Sequence, residues 1–191
     1  MGKVYDGLTD RLREFIAAQP VYFVATAPRE GGHVNVSPKG HADTFTILDD
    51  TTVAYLDLTG SGIETLAHIR ENGRVTIMFC AFSGPPKILR LYGTGRVVMP
   101  GDAEWDELLP RFGRRLGVRS IIVVSCDRIA DSCGYGVPLM SYEQDRDLLH
   151  RWAERKDAAQ LREYRAKHNS KSIDGLPALT DEEIDAVVVE P

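Results

Sequence analysis

From Val21 onward the sequence passes through one short β-forming run after another, each closed by a turn signal. This succession constrains the fold more than any other feature. Val21-Tyr22-Phe23-Val24-Ala25-Thr26 is the first run, and Pro28-Arg29-Glu30-Gly31-Gly32 turns it back. His33-Val34-Asn35-Val36-Ser37 then alternates as its returning partner. Residues 44–48 and 52–57 read as two more strands around the Asp49-Asp50 turn. Residues 74–82 and 88–98 read as longer ones separated by Ser83-Gly84-Pro85-Pro86, and Ile121-Ile122-Val123-Val124 as a buried one. Six or seven strands at short spacing, with few helices, predict a β-barrel or a closely related all-β core. Ahead of them Leu8, Leu12, Phe15 and Ile16 recur at helical spacing, and Pro20 marks a stop. Pro100-Gly101-Asp102 turns into a predicted helix carrying Trp105, Leu108, Leu109 and Phe112.

Thr59-Gly60-Ser61-Gly62 joins the strand-like residues 52–57 to a helix-like run with Ile63, Leu66, Ala67 and Arg70 at i, i+3, i+4 spacing. Ser61 and Glu64 form the S-x-x-E of a capping box, which predicts a helix start at Ser61, and Asn72-Gly73 predicts its left-handed stop. A helix N-terminus presents unpaired N–H groups and the positive end of the dipole, and glycines let a ligand come close, so the turn suits a phosphate. A tight turn into a capped surface helix accounts for the same residues without a ligand.

The composition excludes several functions. A net charge of −5 over 191 residues is unsuited to a general nucleic-acid binder, although a local basic pocket for one phosphate remains compatible. No apolar run approaches the ~18 residues of a membrane span. The first residues carry no signal-peptide core, and the three cysteines contain no C-x-x-C pair. A reduced, cytoplasmic chain is therefore expected. The five histidines lack metal-ligand spacing, so no metal site is expected. After Cys133 the sequence becomes charged and helix-forming from Tyr142 to His168, with Leu148, Leu149 and Trp152 as its apolar face; an acidic capped turn follows at Thr180-Asp181-Glu182-Glu183. The expected organisation is a barrel over residues 1–132 and a loop and helical arm over 133–191 that packs on the barrel or on a partner subunit.

Four pieces in order carry a resemblance: Val34-Asn35-Val36-Ser37-Pro38-Lys39-Gly40; Tyr55-Leu56-Asp57-Leu58-Thr59-Gly60-Ser61-Gly62 with Glu64, Thr65 and Leu66; Glu71-Asn72-Gly73-Arg74-Val75-Thr76-Ile77-Met78-Phe79; and Lys87-Ile88-Leu89-Arg90-Leu91-Tyr92-Gly93-Thr94-Gly95. Over roughly residues 8 to 130 the chain resembles the pyridoxamine 5′-phosphate oxidase-related family of FMN-binding split-barrel proteins. The resemblance implies a mainly β, six-stranded split barrel with peripheral helices, normally a homodimer, with FMN held in a groove between subunits. Ser37, Pro38, Lys39 and Gly40 would lie along the flavin ring, with Lys39 near its polar edge. Asp57, Thr59, Gly60, Ser61 and Thr65 would hold the ribityl chain and phosphate, and Lys87 and Arg90 would face the cofactor from the pairing strand. True pyridoxamine phosphate oxidases carry a basic pair at the helix start, where this chain has Ser61 and Gly62. Their C-terminal arginine-and-tryptophan segment is replaced by Asp131-Ser132-Cys133-Gly134-Tyr135-Gly136-Val137-Pro138. Oxidation of vitamin B6 is therefore not expected.

The expected activity is that of an FMN-dependent oxidoreductase passing a hydride between a reduced nicotinamide and a small organic acceptor or oxygen. An ammonium at Lys39, read as a loop residue, would stabilise the charge of the reduced ring. No residue stands out as a general acid or base, so the catalytic residues stay unassigned. Cys133 has no base beside it, Tyr135 is presented between two glycines, and His41 lies just past the Lys39 segment. The alternatives are a non-catalytic protein that binds or stores flavin, the deazaflavin F420 or haem on the same barrel, and a cofactor-free structural dimer.

Overall fold

The structure, a computed structural model, describes residues 2–186, so residues 187–191 of the expected arm lie outside it. The chain opens on a two-residue strand, β1 (Val4–Tyr5), and helix α1 (Asp10–Ala17). Strands β2 (Val21–Thr26), β3 (Asn35–Gly40), β4 (Phe45–Ile47) and β5 (Thr52–Leu58) follow. Helix α2 (Glu64–Asn72) leads into β6 (Arg74–Cys80), β7 (Ile88–Val98), the short α3 (Trp105–Leu108) and the long β8 (Val118–Ser132). Three helices complete the described chain: α4 (Leu148–Glu154), α5 (Ala158–His168) and α6 (Asp181–Asp185).

The strands pair antiparallel in the order β3-β2-β6-β7-β8-β5-β4, with β1 added to β8. This curled sheet is the mainly β split barrel expected from the sequence. Its inner face follows the period-2 pattern: Tyr22 and Val24 of β2 meet Val75, Ile77 and Phe79 of β6, Leu89 and Leu91 of β7, and Ile122 and Val124 of β8. Helix α1 adds Leu12 and Ile16 to the same core. Each such side chain contributes about 1.5–3 kcal/mol by leaving water. The first half of β8 is buried on both faces, because Val118, Ile121 and Val123 pack outward against Trp105 and Leu108. At the crossing of β7 and β8 the register shifts beside Gly93, where a Cβ would stand 2.1 Å from the Ser125 carbonyl oxygen. Only glycine allows that approach.

Several local expectations are corrected. Lys39 is not in a loop. Strand β3 runs on through Pro38, Lys39 and Gly40, which pair with Phe23, Tyr22 and Val21. Strand β3 ends the sheet path, where a proline without an N–H is tolerated. Helix α2 starts at Glu64 rather than Ser61, with Ile63 in the capping position and no capping box. The Glu64 carboxylate instead accepts the N–H of Ile63 (3.0 Å) and that of Ile173 (3.3 Å), a residue far along the chain. The helix expected around Trp105 is one turn, followed by a 3₁₀ turn at Leu109–Arg111 that contains Pro110. The charged segment from Tyr142 forms two helices, and Leu148 and Leu149 of its expected apolar face stay exposed while Ala153 is buried. The glycine stop at Gly73 (φ +74) and the capping box of Thr180 with Glu183 are as expected.

Residues of the C-terminal segment reach into the barrel flank. Ala178, Leu179 and Ile184 cover Ile63, Leu66 and Ala67 of the α2 region, while Arg70 binds Glu183 and the Ala178 carbonyl.

Candidate functional site

A cavity of about 710 Å³ opens where the end of β3, the end of β5 and the start of α2 converge. Ser37, Pro38, Lys39 and Gly40 form one wall; Asp57, Gly60, Ser61, Gly62 and Thr65 form the opposite one. Arg119 of β8 contributes to the wall, and Gln144, Asp145, Arg146 and Leu149 lie along the rim. Segments that are distant in sequence are brought together because β5 pairs with β8 and β2 links β3 to β6.

Asp57 is the electrostatic centre. Its carboxylate is buried, accepts Arg119 Nε at 2.8 Å and Nη2 at 3.1 Å, accepts Ser120 Oγ at 3.1 Å, and lies 3.7 Å from Lys39 Nζ. Burial is the largest influence and opposes ionisation, but the charges of Arg119 and then Lys39 outweigh it and hold the carboxyl below its ordinary range. Lys39 also stands 5.9 Å from the ring centre of Tyr55, within cation–π range.

The Thr59–Gly62 turn is gripped from behind. Thr59 is buried, and its hydroxyl accepts Arg165 Nε at 3.1 Å and Nη2 at 2.9 Å. Asn169 donates to the Gly60 carbonyl at 3.0 Å, and Arg119 Nη2 to the Gly62 carbonyl at 2.9 Å. The turn is thereby oriented, with Ser61 exposed to the cavity.

A polar chain runs inward from the β3 wall. Ser37 Oγ donates to Asn35 Oδ1 (3.1 Å), and Asn35 Nδ2 donates to Thr65 Oγ1 (3.1 Å) and Thr26 Oγ1 (3.4 Å). Thr26 pairs with the fully buried His68 through Nδ1 (3.0 Å). Burial pushes the His68 pKa down, so the ring is neutral near pH 7. At the rim, His41 Nδ1 lies 3.3 Å from Asp145, which ties the segment ahead of α4 to the end of β3.

Of the residues expected at the site, Ser37, Pro38, Lys39, Gly40, Asp57, Gly60, Ser61 and Thr65 line this one cavity. Thr59 stands behind its wall. Lys87 and Arg90 are not brought there: Lys87 lies 3.6 Å from Asp131 in a separate cavity, and Arg90 donates to Ser132 Oγ at 3.1 Å. Cys133 and Tyr135 are exposed beside that second cavity. Arg119, Arg165, Asn35 and His68 escape the sequence reading. The signal available for Arg119 is that the first half of β8 is apolar enough to be covered on both faces, which makes a charge within that half a buried one.

The family model described as "Pyridoxamine 5'-phosphate oxidase" matches residues 8–155. The pyridoxamine 5′-phosphate oxidase family protein ustO of Aspergillus flavus is 41% identical over 191 aligned positions, covering 92% of this chain and 77% of that protein. Among solved structures, a variant of HupZ from Group A Streptococcus has 24% sequence identity and a TM-score of 0.51, covering 65% of this chain and 99% of that one. That structural likeness bears on the fold alone.

Proposed function

This chain belongs to the pyridoxamine 5′-phosphate oxidase family, and we propose that its cavity binds a flavin, FMN, for oxidoreductase chemistry. The observation that carries the reading is the meeting of the Ser37–Gly40 wall with the Gly60–Ser61 turn across one cavity. Its volume of about 710 Å³ falls within the ~300–1,000 Å³ usual for cofactor sites.

The residues fit the group. Arg119 is buried in the wall with its Nη1 lacking a partner among the described residues, a donor suited to an anionic substituent. Ser37, Thr65 and Ser61 offer hydroxyls to a polyol chain, and Lys39 supplies a cation to the ring end. Bound flavin would supply two-electron hydride chemistry, taking a hydride from a reduced nicotinamide and passing it to a small organic acceptor or oxygen. The chain's own part is to bind, orient and bias charge. The proposed assembly is a homodimer, in which Lys87 and Arg90 would act at the site of the other copy, and the barrel of residues 1–132 would be completed by 133–191.

The test is the visible spectrum of freshly purified protein, followed by titration with FMN. Flavin bands, or saturable uptake at one FMN per chain, support the reading. A haem Soret band, selective uptake of F420, or indifference to all three overturns it.

A further inference from the structure

The interior beside the cavity holds more positive charge than negative. Arg119 and Arg165 are 2% and 0% exposed and Asp57 is 3% exposed, and among the described residues no other carboxylate is buried to that degree. Asp57 balances one guanidinium. The other is met by neutral oxygens, those of Thr59 Oγ1 and the Val118 carbonyl. A buried cation without a counter-charge is costly, and so is a buried donor without an acceptor.

Both guanidiniums also keep an Nη1 without a partner among the described residues, and of the two it is Arg119 that belongs to the cavity wall. Its Nε and Nη2 are taken by Asp57 and the Gly62 carbonyl, whereas its Nη1 has no partner among the described residues. The side chain belongs to the cavity wall beside Gly60, Ser61 and Gly62. The start of α2, where an anion would otherwise sit, is filled by the carboxylate of Glu64. We propose that Arg119, a strand residue, is the group that holds the phosphate monoester of the cavity's ligand, in place of the helix-start cations that this chain lacks. The assignment rests on the flavin reading above. It gives the Asp57–Arg119 pair a second purpose: Asp57 holds two arms of the fork and leaves the third for the phosphate.

FMN and riboflavin differ by the phosphate, so their affinity ratio isolates the proposed contact. The variants are Asp57→Asn with Arg119→Gln, which removes both members of the buried pair together, and Arg119→Gln alone, in which Lys39 and Ser120 still face Asp57. At least one is carried forward after circular dichroism shows it folded. The wild-type protein is expected to bind FMN at least tenfold more tightly than riboflavin, and the variant to bind the two equally. A ratio that persists in the variant, or is absent from the wild type, overturns the assignment to Arg119 and leaves flavin binding standing. If the wild type binds neither flavin, the flavin reading fails and inorganic phosphate decides. A phosphate-dependent rise in the unfolding midpoint that the variant loses upholds Arg119 as an anion site; no rise, or an equal one, overturns it.

Discussion

Arg119 meets the carboxylate of Asp57 with two arms of its guanidinium, at 2.8 and 3.1 Å, across the β5–β8 ladder and out of contact with water. Removing Asp57 leaves the buried Arg119 guanidinium without its counter-charge. Asp57→Ala is expected to destabilise the fold by about 3–5 kcal/mol, and Asp57→Asn/Arg119→Gln by less than the sum of its single changes. Urea unfolding of these four variants, the two single changes included, measures both. The acid side follows from the same pair. Because the folded carboxyl titrates below its unfolded value of about 3.9, its contribution is complete above that pH and is lost as the pH falls through the folded value. Wild-type stability should drop below about pH 4 with a slope that Asp57→Asn lacks.

His68 gives a second, separate acid window. It is neutral in the folded barrel because burial penalises its cation, whereas in the unfolded chain it titrates near 6.5. The unfolded state therefore takes up the proton first, and stability falls as the pH drops from about 6.5 toward the folded value. His68→Leu should flatten the profile in that range and leave the Asp57 slope below pH 4 intact. Equal slopes for wild type and variant between pH 5 and 6.5 would contradict the placement of a neutral histidine there.

The barrel was legible because its strands alternate and its turns carry glycine and proline, local signals that need no partner. The Ser37–Gly40 and Gly60–Thr65 walls were legible through resemblance. The charges that organise the cavity were not. Arg165 sits in a helix whose other residues are mostly polar, and it follows Leu161 by one helical repeat; nothing local distinguishes its face from a solvated one. Arg119 precedes an apolar run, and only the covering of β8 on both sides makes its burial compulsory. The helix start failed for a similar reason. Ser61 and Glu64 have capping-box spacing, but Glu64 is drawn to the N–H of Ile173, a tertiary contact that outcompetes the local one. Lys39 reads as a loop residue in the sequence because Pro38 reads as a strand breaker, a rule that relaxes where β3 ends the sheet.

Thr59 and Ser61, two residues apart, should behave oppositely. Thr59→Ala removes the acceptor of two donors on buried Arg165, and a loss of about 1–3 kcal/mol in stability is expected. Ser61 is exposed, so Ser61→Ala should change stability by less than about 0.5 kcal/mol while weakening FMN binding. Thermal unfolding with and without FMN separates the two.

At the rim, the His41–Asp145 contact holds the segment ahead of α4 over the cavity. The pair is partly exposed, which limits it to about 0.2–1 kcal/mol. Asp145→Ala should therefore speed ligand release by about fivefold at most, with little effect on the association rate, as stopped-flow flavin fluorescence would read.

In the proposed flavin site Lys39 is the cation that would act on the ring rather than on the phosphate. It reaches the cavity from β3, remains partly exposed, and shares Asp57 with Arg119, so part of its field is already cancelled. Reduction of a flavin places negative charge on the ring, and a preorganised cation stabilises the reduced form more than the oxidised one. With an interaction of about 1 kcal/mol, Lys39→Ala should lower the two-electron potential by about 20 mV. Affinity for oxidised FMN should change less than affinity for the reduced form, because the ring carries the charge only after reduction. Lys39→Arg keeps the charge and should keep the potential. Spectroelectrochemical titration of the three proteins decides the matter: if Lys39→Ala holds the wild-type potential, the ammonium serves Asp57 alone and the ring end of the cavity must be read anew.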